Sequence, residues 1–473
     1  MPRTEVPTQG KELMLKRNNR PIRGFTLSLL LAVVALVAAA CGTPGDDGAA
    51  TTATTSAAAP DTTAAATPDT TTGGTETTEP ATDSTAAAGD GTVTVGFISP
   101  TTGFVAALGT DMQRGWEMYW EQNGDTAGGV TVETVFEDDA GDPEIALTKA
   151  RRLVEEEQVD IVAGPILANT AYAVAEYVAG QGIPTLHITA ADDLTQREAD
   201  PHVLRVGYTS SQTNFPAGQW AFEQDHQTAV TLCPDYAFGW ESCGGFVSAF
   251  TESGGEVVEQ IWHPLGTQDF STYVTQIQST APDVVFIGSA GGSDAIQLFQ
   301  AWSDFGMAGT IPMIGNCCFA DQVFLREVGA EAMGAVKSFT YWVEGRDSEE
   351  VQAFVSAYED AHGEIPSLYA AGSYMMARVV AEALATTGGQ VNGSEFIDAA
   401  RGVSLDNSLY GPLEFDDYNN VVGPVYVTDI VEREDGTLWA VVDETFEDVS
   451  QFWNKSPEEY MENPVFTRDY QGN

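Results

Sequence analysis

Between Val132 and Thr170 the apolar positions change period twice. Val132, Val135 and Phe136 suit a strand. Asp142-Pro143-Glu144 then starts a helix, with a capping Asp, Pro at the first helical position and an acid facing the positive helix end. Ala146, Ala150 and Leu153 fall on one helical face. Val159 to Ala163 is short and nearly all apolar, as a buried parallel strand should be, and Gly164-Pro165 ends it. Ligands of open α/β sheets bind beyond the carboxyl ends of the strands, so the segment after Gly164 is a candidate ligand loop.

The same alternation runs through the body of the chain. Val93–Ile98 reads as a strand, followed by a loop and a helix with Met112, Trp116, Tyr119 and Trp120 on one face. A helix at Ala171–Ala179 and strands at Pro184–Ile188 and His202–Val206 complete a first series. A second series begins with a strand at Ala229–Cys233. Further strands follow around GGEVVEQIW, at Asp283–Gly288, Ile311–Gly315 and Ala335–Tyr341, with helices between them. Strands alternating with helices mark a doubly wound parallel sheet, and two such series predict two Rossmann-like lobes facing a cleft. Three helices, around Ser348–His362, Ser367–Thr386 and Gly393–Arg401, precede Leu413–Phe415 and a hairpin of Val425–Val431 with Thr437–Val442. Residues 444–473 hold Phe446, Phe452 and Trp453 without a clear period.

Composition narrows the function. The length of 473 residues exceeds one core and suits two lobes. The net charge of −49, from 20 basic and 69 acidic residues, leaves no basic footprint for nucleic acid. The basic residues that do cluster are Lys11, Lys16, Arg17, Arg20 and Arg23, ahead of the apolar run Phe25–Ala40. That order is a secretory signal over residues 1–40, with an uncleaved membrane anchor as the alternative and Met14 as a second possible start. Ala38-Ala39-Ala40 before Cys41 resembles a bacterial lipobox, although the usual Leu is Ala38 here. The resemblance implies that Cys41 carries a lipid. Residues 41–91, rich in Thr, Ala, Gly and Pro, lack the large apolar side chains needed to fold and read as a flexible tether. Both readings put the body outside the cytoplasm.

Four cysteines remain. An even count in an exported chain favours disulfides, and Cys233 and Cys243, flanking a turn at a strand end, are the better pair. Cys317 and Cys318 either bridge as neighbours or stay free. No His accompanies them at zinc spacing, and Asp138, Asp139 and Asp142 lack the spacing of a calcium loop, so neither metal nor other cofactor is expected. The histidines His187, His202, His226, His263 and His362 sit in no nucleophile motif, and GSAGGS at Gly288–Ser293 lacks the Lys of a phosphate loop. An enzyme is not expected.

The strings VGFISPTTGFVAALGTDM, EDDAGDPEIALTKARRLVE, VDIVAGP, GIPTL, ADDLT, PDYAFG, PLGTQDFSTYVTQI and DVVFIGSAGG occur in one order. Together they resemble solute-binding proteins of the branched-chain amino acid type, which have the type I periplasmic-binding fold and feed ABC importers. The resemblance covers about residues 92–442. It implies two α/β lobes with parallel sheets joined by three hinge crossovers. The first lobe is expected over 92–207 plus 343–424 and the second over 208–342 plus 425–443. A small solute lies between them, an ABC permease is the membrane partner, and the protein acts as a monomer. Ligand-sensing ectodomain and extracytoplasmic α/β hydrolase are the alternative classes.

Carried over by position, the ligand contacts are Phe104 and Leu108 after the first strand, Ala168 and Asn169 after Gly-Pro, and Thr189 and Ala190 after GIPTL. The second lobe contributes Tyr236, Ala290 in the Gly-rich loop, and Cys317. The family's carboxylate-gripping Ser is Ala168 here, and the acid that pairs with an amino group is replaced by Cys317. A zwitterion would therefore be buried without partners, at a cost on the order of several kcal/mol. Phe104, Leu108, Tyr236 and Phe238 are available for an apolar pocket. The expected ligand is neutral or singly charged with apolar bulk, such as an aromatic or aliphatic acid or an amide. Asp235, Asp294 and Asp321 are the residues that could replace the missing acid.

Overall fold

The structure, a computed structural model, describes residues 91–328 and 336–472. Cys41, the signal and the tether lie outside the described residues.

The first series is β1 (Thr92–Ser99), α1 (Ala106–Asn123), β2 (Thr126–Ala127), β3 (Val130–Asp138), α2 (Pro143–Glu155), β4 (Ile161–Ala163), α3 (Ala168–Gly180), β5 (Thr185–His187) and β6 (Val203–Arg205). Its sheet has the order β2-β3-β1-β4-β5-β6, all parallel except the β2–β3 pair. The Asp142 carboxylate accepts from the amides of Glu144 and Ile145 and so caps α2. Ala146, Ala150 and Leu153 of α2 are fully buried against Ile98, Val162, Val174 and Val178. Gly96 lets Leu153 press on β1, since a Cβ there would lie 2.8 Å from a Leu153 methyl.

The second series is α4 (Ser210–Glu223), β7 (Thr228–Pro234), α5 (Ala237–Ser253), β8 (Glu256–His263), α6 (Ser271–Thr280), β9 (Val284–Ile287), α7 (Ser293–Asp304), β10 (Met313–Gly315), α8 (Gln322–Leu325) and β11 (Val336–Thr340). The chain then returns to the first lobe through α9 (Glu349–His362), α10 (Leu368–Thr387) and α11 (Ser394–Arg401). It finishes with β12 (Glu414–Phe415), β13 (Val421–Glu432), β14 (Leu438–Val449) and α12 (Pro457–Met461). The second sheet has the order β12-β13-β11-β10-β9-β7-β8, with β14 antiparallel to β13. Its parallel part, β8-β7-β9-β10-β11, repeats the order β3-β1-β4-β5-β6 of the first. In both sheets the order reverses beside the first strand, which places a crevice between β1 and β4 and another between β7 and β9.

Three features differ from the sequence reading. Helix α4 carries no amphipathic period because it is buried on nearly every side. The short strand β12, expected in the first lobe, pairs with β13 in the second sheet. Strand β14 runs past Val442 to Val449, and the segment beyond it folds back over α4 and α5. There Trp453 stacks on Phe215 at 5.8 Å, Phe466 abuts Gly244, and Arg468 reaches Asp235 at 2.6 Å. These aromatics contact residues distant in sequence, so they follow no local period.

The chain passes between the lobes after β6, after β11 and before β12. Each crossing contributes one tyrosine. Tyr208 stacks on Tyr341 at 4.4 Å, and Tyr410 stands edge-on to Tyr341 at 4.9 Å. All three are buried.

Candidate functional site

The two crevices face each other, and the loops that leave them build the site. From the first lobe, the loop after β1 is pinned by the Asp138 carboxylate. It accepts from the Thr101 amide at 2.9 Å and from the Thr102 hydroxyl at 2.7 Å. These bonds hold Asp138 below the usual carboxylate range against the opposing effect of burial. Gly109 closes α1 onto this loop, where a Cβ would lie 2.2 Å from the Pro100 carbonyl oxygen. The loop after β4 turns at Gly164, with φ +80°, and leads into α3 at Ala168. Leu167 at the cap offers no side-chain acceptor to the amides of the first turn of α3.

The third loop, after β5, carries Ile188, Thr189 and Ala190. Fully buried Arg205 braces it from behind by donating to the carbonyls of Thr189 and Ala191 and to the Thr195 hydroxyl. From the second lobe, the loop after β7 carries Tyr236, the one after β9 carries Ala290, and the one after β10 carries Cys317 and Cys318. Cys233 and Cys243 are joined as a disulfide, linking the end of β7 to α5 on either side of Tyr236.

These loops enclose a cavity of about 30 Å³ lined by Leu108, Ile166, Leu167, Ala168, Ile188, Ala190, Tyr236, Phe238, Ala290, Cys317, Cys318, Tyr341, Leu368 and Tyr369. That is room for about one or two water molecules, so the lobes stand closed. Bonds between the lobes hold this state. The Glu241 carboxylate on α5 accepts from the Tyr172 hydroxyl at 3.0 Å and the Asp192 amide at 3.2 Å. The Tyr369 hydroxyl donates to the Ala290 carbonyl at 3.3 Å, and Arg326 reaches Asp111 at 2.9 Å. Burial drives the Glu241 carboxyl well above its usual range, with Asp192 nearby adding to the rise. Burial likewise raises the phenols of Tyr236, Tyr341 and Tyr369, so all three meet the cavity as neutral rings.

Of the expected contacts, Leu108, Ala168, Ala190, Tyr236, Ala290 and Cys317 line the cavity. Phe104 does not; it is 36% exposed and lies over Gly141 at the cleft edge. Asn169 and Thr189 stand just outside the lining, each with a buried side-chain oxygen that has no partner among the described residues. The three replacement acids also lie outside it. Asp235 is engaged by Trp240 and Arg468. Asp321 caps α8 and accepts from the Leu368 amide at 2.7 Å. Asp294 accepts from its neighbour Ala295 and keeps one buried oxygen with no partner among the described residues.

The sequence reading missed Tyr369 and Leu368 of α10, and took Tyr341 only as a strand end. Leu368 and Tyr369 come from a helix that follows the second series, Tyr341 from the crossing after β11, and no local motif marks them. The acids at 138, 139 and 142 have structural work: Asp138 pins the loop, Asp142 caps α2, and Asp139 accepts from the Gly141 amide.

No charged side chain lines the cavity among the described residues. Its walls are apolar and aromatic, with phenol and thiol groups and the uncapped start of α3 as polar points. Such a site holds a small molecule by shape and a few hydrogen bonds.

A family model described as periplasmic binding protein matches residues 92–437. A protein of Brucella melitensis named Leu/Ile/Val-binding protein homolog 6 is 28% identical over 347 residues, covering 72% of this chain and 88% of that protein. An ABC transporter substrate-binding protein from Sphaerobacter thermophilus superposes with a TM-score of 0.72 at 31% identity, over 76% of this chain and 99% of that one. A solute-binding protein of an ABC transporter from Rhodopseudomonas palustris, solved with 3,4-dihydroxybenzoic acid, gives a TM-score of 0.73 at 28% identity, over 76% and 98%. The chain therefore belongs to the periplasmic binding protein family and is the extracytoplasmic solute-binding component of an ABC importer, trapping a small organic molecule between two lobes.

Proposed function

We propose that the solute is a small aromatic monocarboxylate. The observation that carries this reading is the lining: four aromatic side chains, small alanines and no charged group. An α-amino group would find no carboxylate there. A single carboxylate is served by the amides that open α3, which receive no side-chain cap among the described residues and where the helix dipole favours an anion. The complex of the Rhodopseudomonas palustris relative with 3,4-dihydroxybenzoic acid supports the same class. Entry needs the lobes to part, and closure follows because the solute contacts both lobes in the closed state alone. Phe104, Asn169 and Thr189 act at the rim of the site. Calorimetry with benzoate, 4-hydroxybenzoate and 3,4-dihydroxybenzoate tests the reading against leucine, isoleucine, valine and phenylalanine. Binding of an aromatic acid with none of the amino acids is expected. Tight binding of any of the four amino acids instead would show that an acid such as Asp294 serves the ammonium group.

In the same reading the permease recognises the closed form of a monomeric receptor, and the cleft carries out no catalysis. The lobes divide at the crossings, 92–207 with 343–424 and 208–342 with 425–443, apart from β12. Cys41 carries the lipid that tethers the body to the membrane after residues 1–40 are removed. Replacing Cys41 with Ser should release the protein into the soluble fraction. A variant that resists alkaline washing would mean that the apolar run is retained as an anchor.

A further inference from the structure

Cys317 and Cys318 are the two free cysteines among the described residues, and both line the solute cavity. Their sulfurs are 3.3 Å apart. Only 7% and 6% of their surfaces are exposed. Unlike Cys233 and Cys243, neither is engaged in a disulfide. The pair faces α10, whose Tyr369 hydroxyl lies so close that a Cβ on Gly291 would sit 2.7 Å from it and 3.4 Å from the Cys318 Cβ.

We propose that Cys317 and Cys318 form a redox-active pair in the wall of the solute cavity, closing reversibly to a vicinal disulfide that changes solute affinity. A disulfide sulfur pair sits at about 2.0 Å, so the sulfurs need to approach by about 1.3 Å. The compartment favours this, since exported proteins meet oxidising disulfide donors. The step is thiol–disulfide exchange with a protein or small-molecule disulfide. One cysteine thiolate attacks the donor, forming a mixed disulfide and releasing one donor thiol. The neighbouring sulfur then displaces the second. The two cysteines lose two electrons and two protons, and the donor gains both as two thiols. Adjacent Cα atoms lie about 3.8 Å apart, shorter than the roughly 4.4–6.8 Å usual for disulfides, so the bond is also readily reduced.

Two consequences follow for the cavity. Contraction of the sulfurs widens a space that now holds about 30 Å³ and replaces two thiol donors with a fixed apolar face. A fixed wall lowers the cost of ordering the site around an aromatic ring, so the oxidised form binds the solute more tightly. Access is the second consequence. In the closed state both thiols are buried, and the contact with Cys318 together with burial holds Cys317 as the neutral, unreactive thiol. Exchange therefore proceeds while the lobes are parted, and bound solute slows it.

This inference rests on the solute reading for its affinity arm alone. The test uses the folded protein treated with oxidised glutathione, digested without reduction and mapped by mass. The peptide bearing both cysteines should be lighter by two hydrogens, regain them with dithiothreitol, and show no such loss in Cys317→Ser. Calorimetry with 4-hydroxybenzoate should give affinity at least about fivefold higher for the oxidised form, consistent with a pre-formed wall. Two alkylatable thiols after oxidation, or equal or weaker binding by the oxidised form, would overturn the proposal. Should no aromatic acid bind either form, the solute class falls and the mass map alone decides the pair.

Discussion

Replacing Tyr172 with Phe removes one hydroxyl from the contact between lobes and leaves the ring in place. That hydroxyl donates to Glu241 Oε1 at 3.0 Å and accepts from the Asp193 amide at 3.1 Å. The first bond crosses the lobes and exists only when they are closed, whereas the second lies within the first lobe. Burial, with Asp192 adding to the rise, holds the Glu241 carboxyl well above its usual range. Such a bond contributes about 0.5–1.5 kcal/mol, and the oxygen left without a partner adds a further cost of about 1 kcal/mol or more. A loss near 1.4 kcal/mol in closure weakens solute affinity about tenfold. Calorimetry measures it, with Tyr177→Phe as the control, because Tyr177 donates to Glu155 on the exposed side of the same lobe. An affinity loss under about threefold, or an equal loss in the control, would refute the reasoning, since the bond and the oxygen left without a partner are together worth more than that. The sign with pH follows from the same residue. The closed state raises the Glu241 carboxyl and so binds a proton that the open state releases. Solute affinity should therefore fall as pH rises through the raised closed-state value of Glu241.

Glu344, buried where the chain crosses back, accepts from Gln322 at 2.6 Å and the Ala440 amide at 2.8 Å, and burial pushes it up to about 7. Its contribution to stability is complete below 4.5 and lost as pH rises through about 7, a swing of about 3 kcal/mol. Glu344→Gln should remove most of this dependence in urea unfolding at pH 5 and pH 8; an unchanged slope would refute it. Gly115→Ala should destabilise by about 1–3 kcal/mol or more, because its Cβ would fall 2.0 Å from the Ala370 carbonyl where α1 meets α10. A melting temperature within a degree or so of wild type would show that the helices part at little cost.

How much of this was legible in the sequence differs by residue. The α2 start was readable because Asp142-Pro143-Glu144 is a local signal, and the parallel strands were readable because burial on both faces makes them short apolar runs. Helix α4 was not, although Thr209 and Gln212 form a capping box at its start. Its polar residues Gln212 and Asn214 are buried and bonded, so hydrophobicity no longer tracks burial. In the site, Leu108, Ala168, Tyr236 and Ala290 were within reach because each follows a strand at a crevice. Tyr369 was out of reach because the helix bearing it packs on the first lobe and meets the cavity only through tertiary contact.

The three clustered tyrosines have a mechanical consequence. With one ring from each crossing, the lobes turn about a single small fulcrum rather than along a flexible strip. Tyr341 belongs both to that fulcrum and to the cavity wall. A solute that presses on Tyr341 thus acts at the short end of a lever whose long ends are the outer faces of the lobes. Small differences in solute width are magnified there, on the faces that the proposed reading presents to the permease.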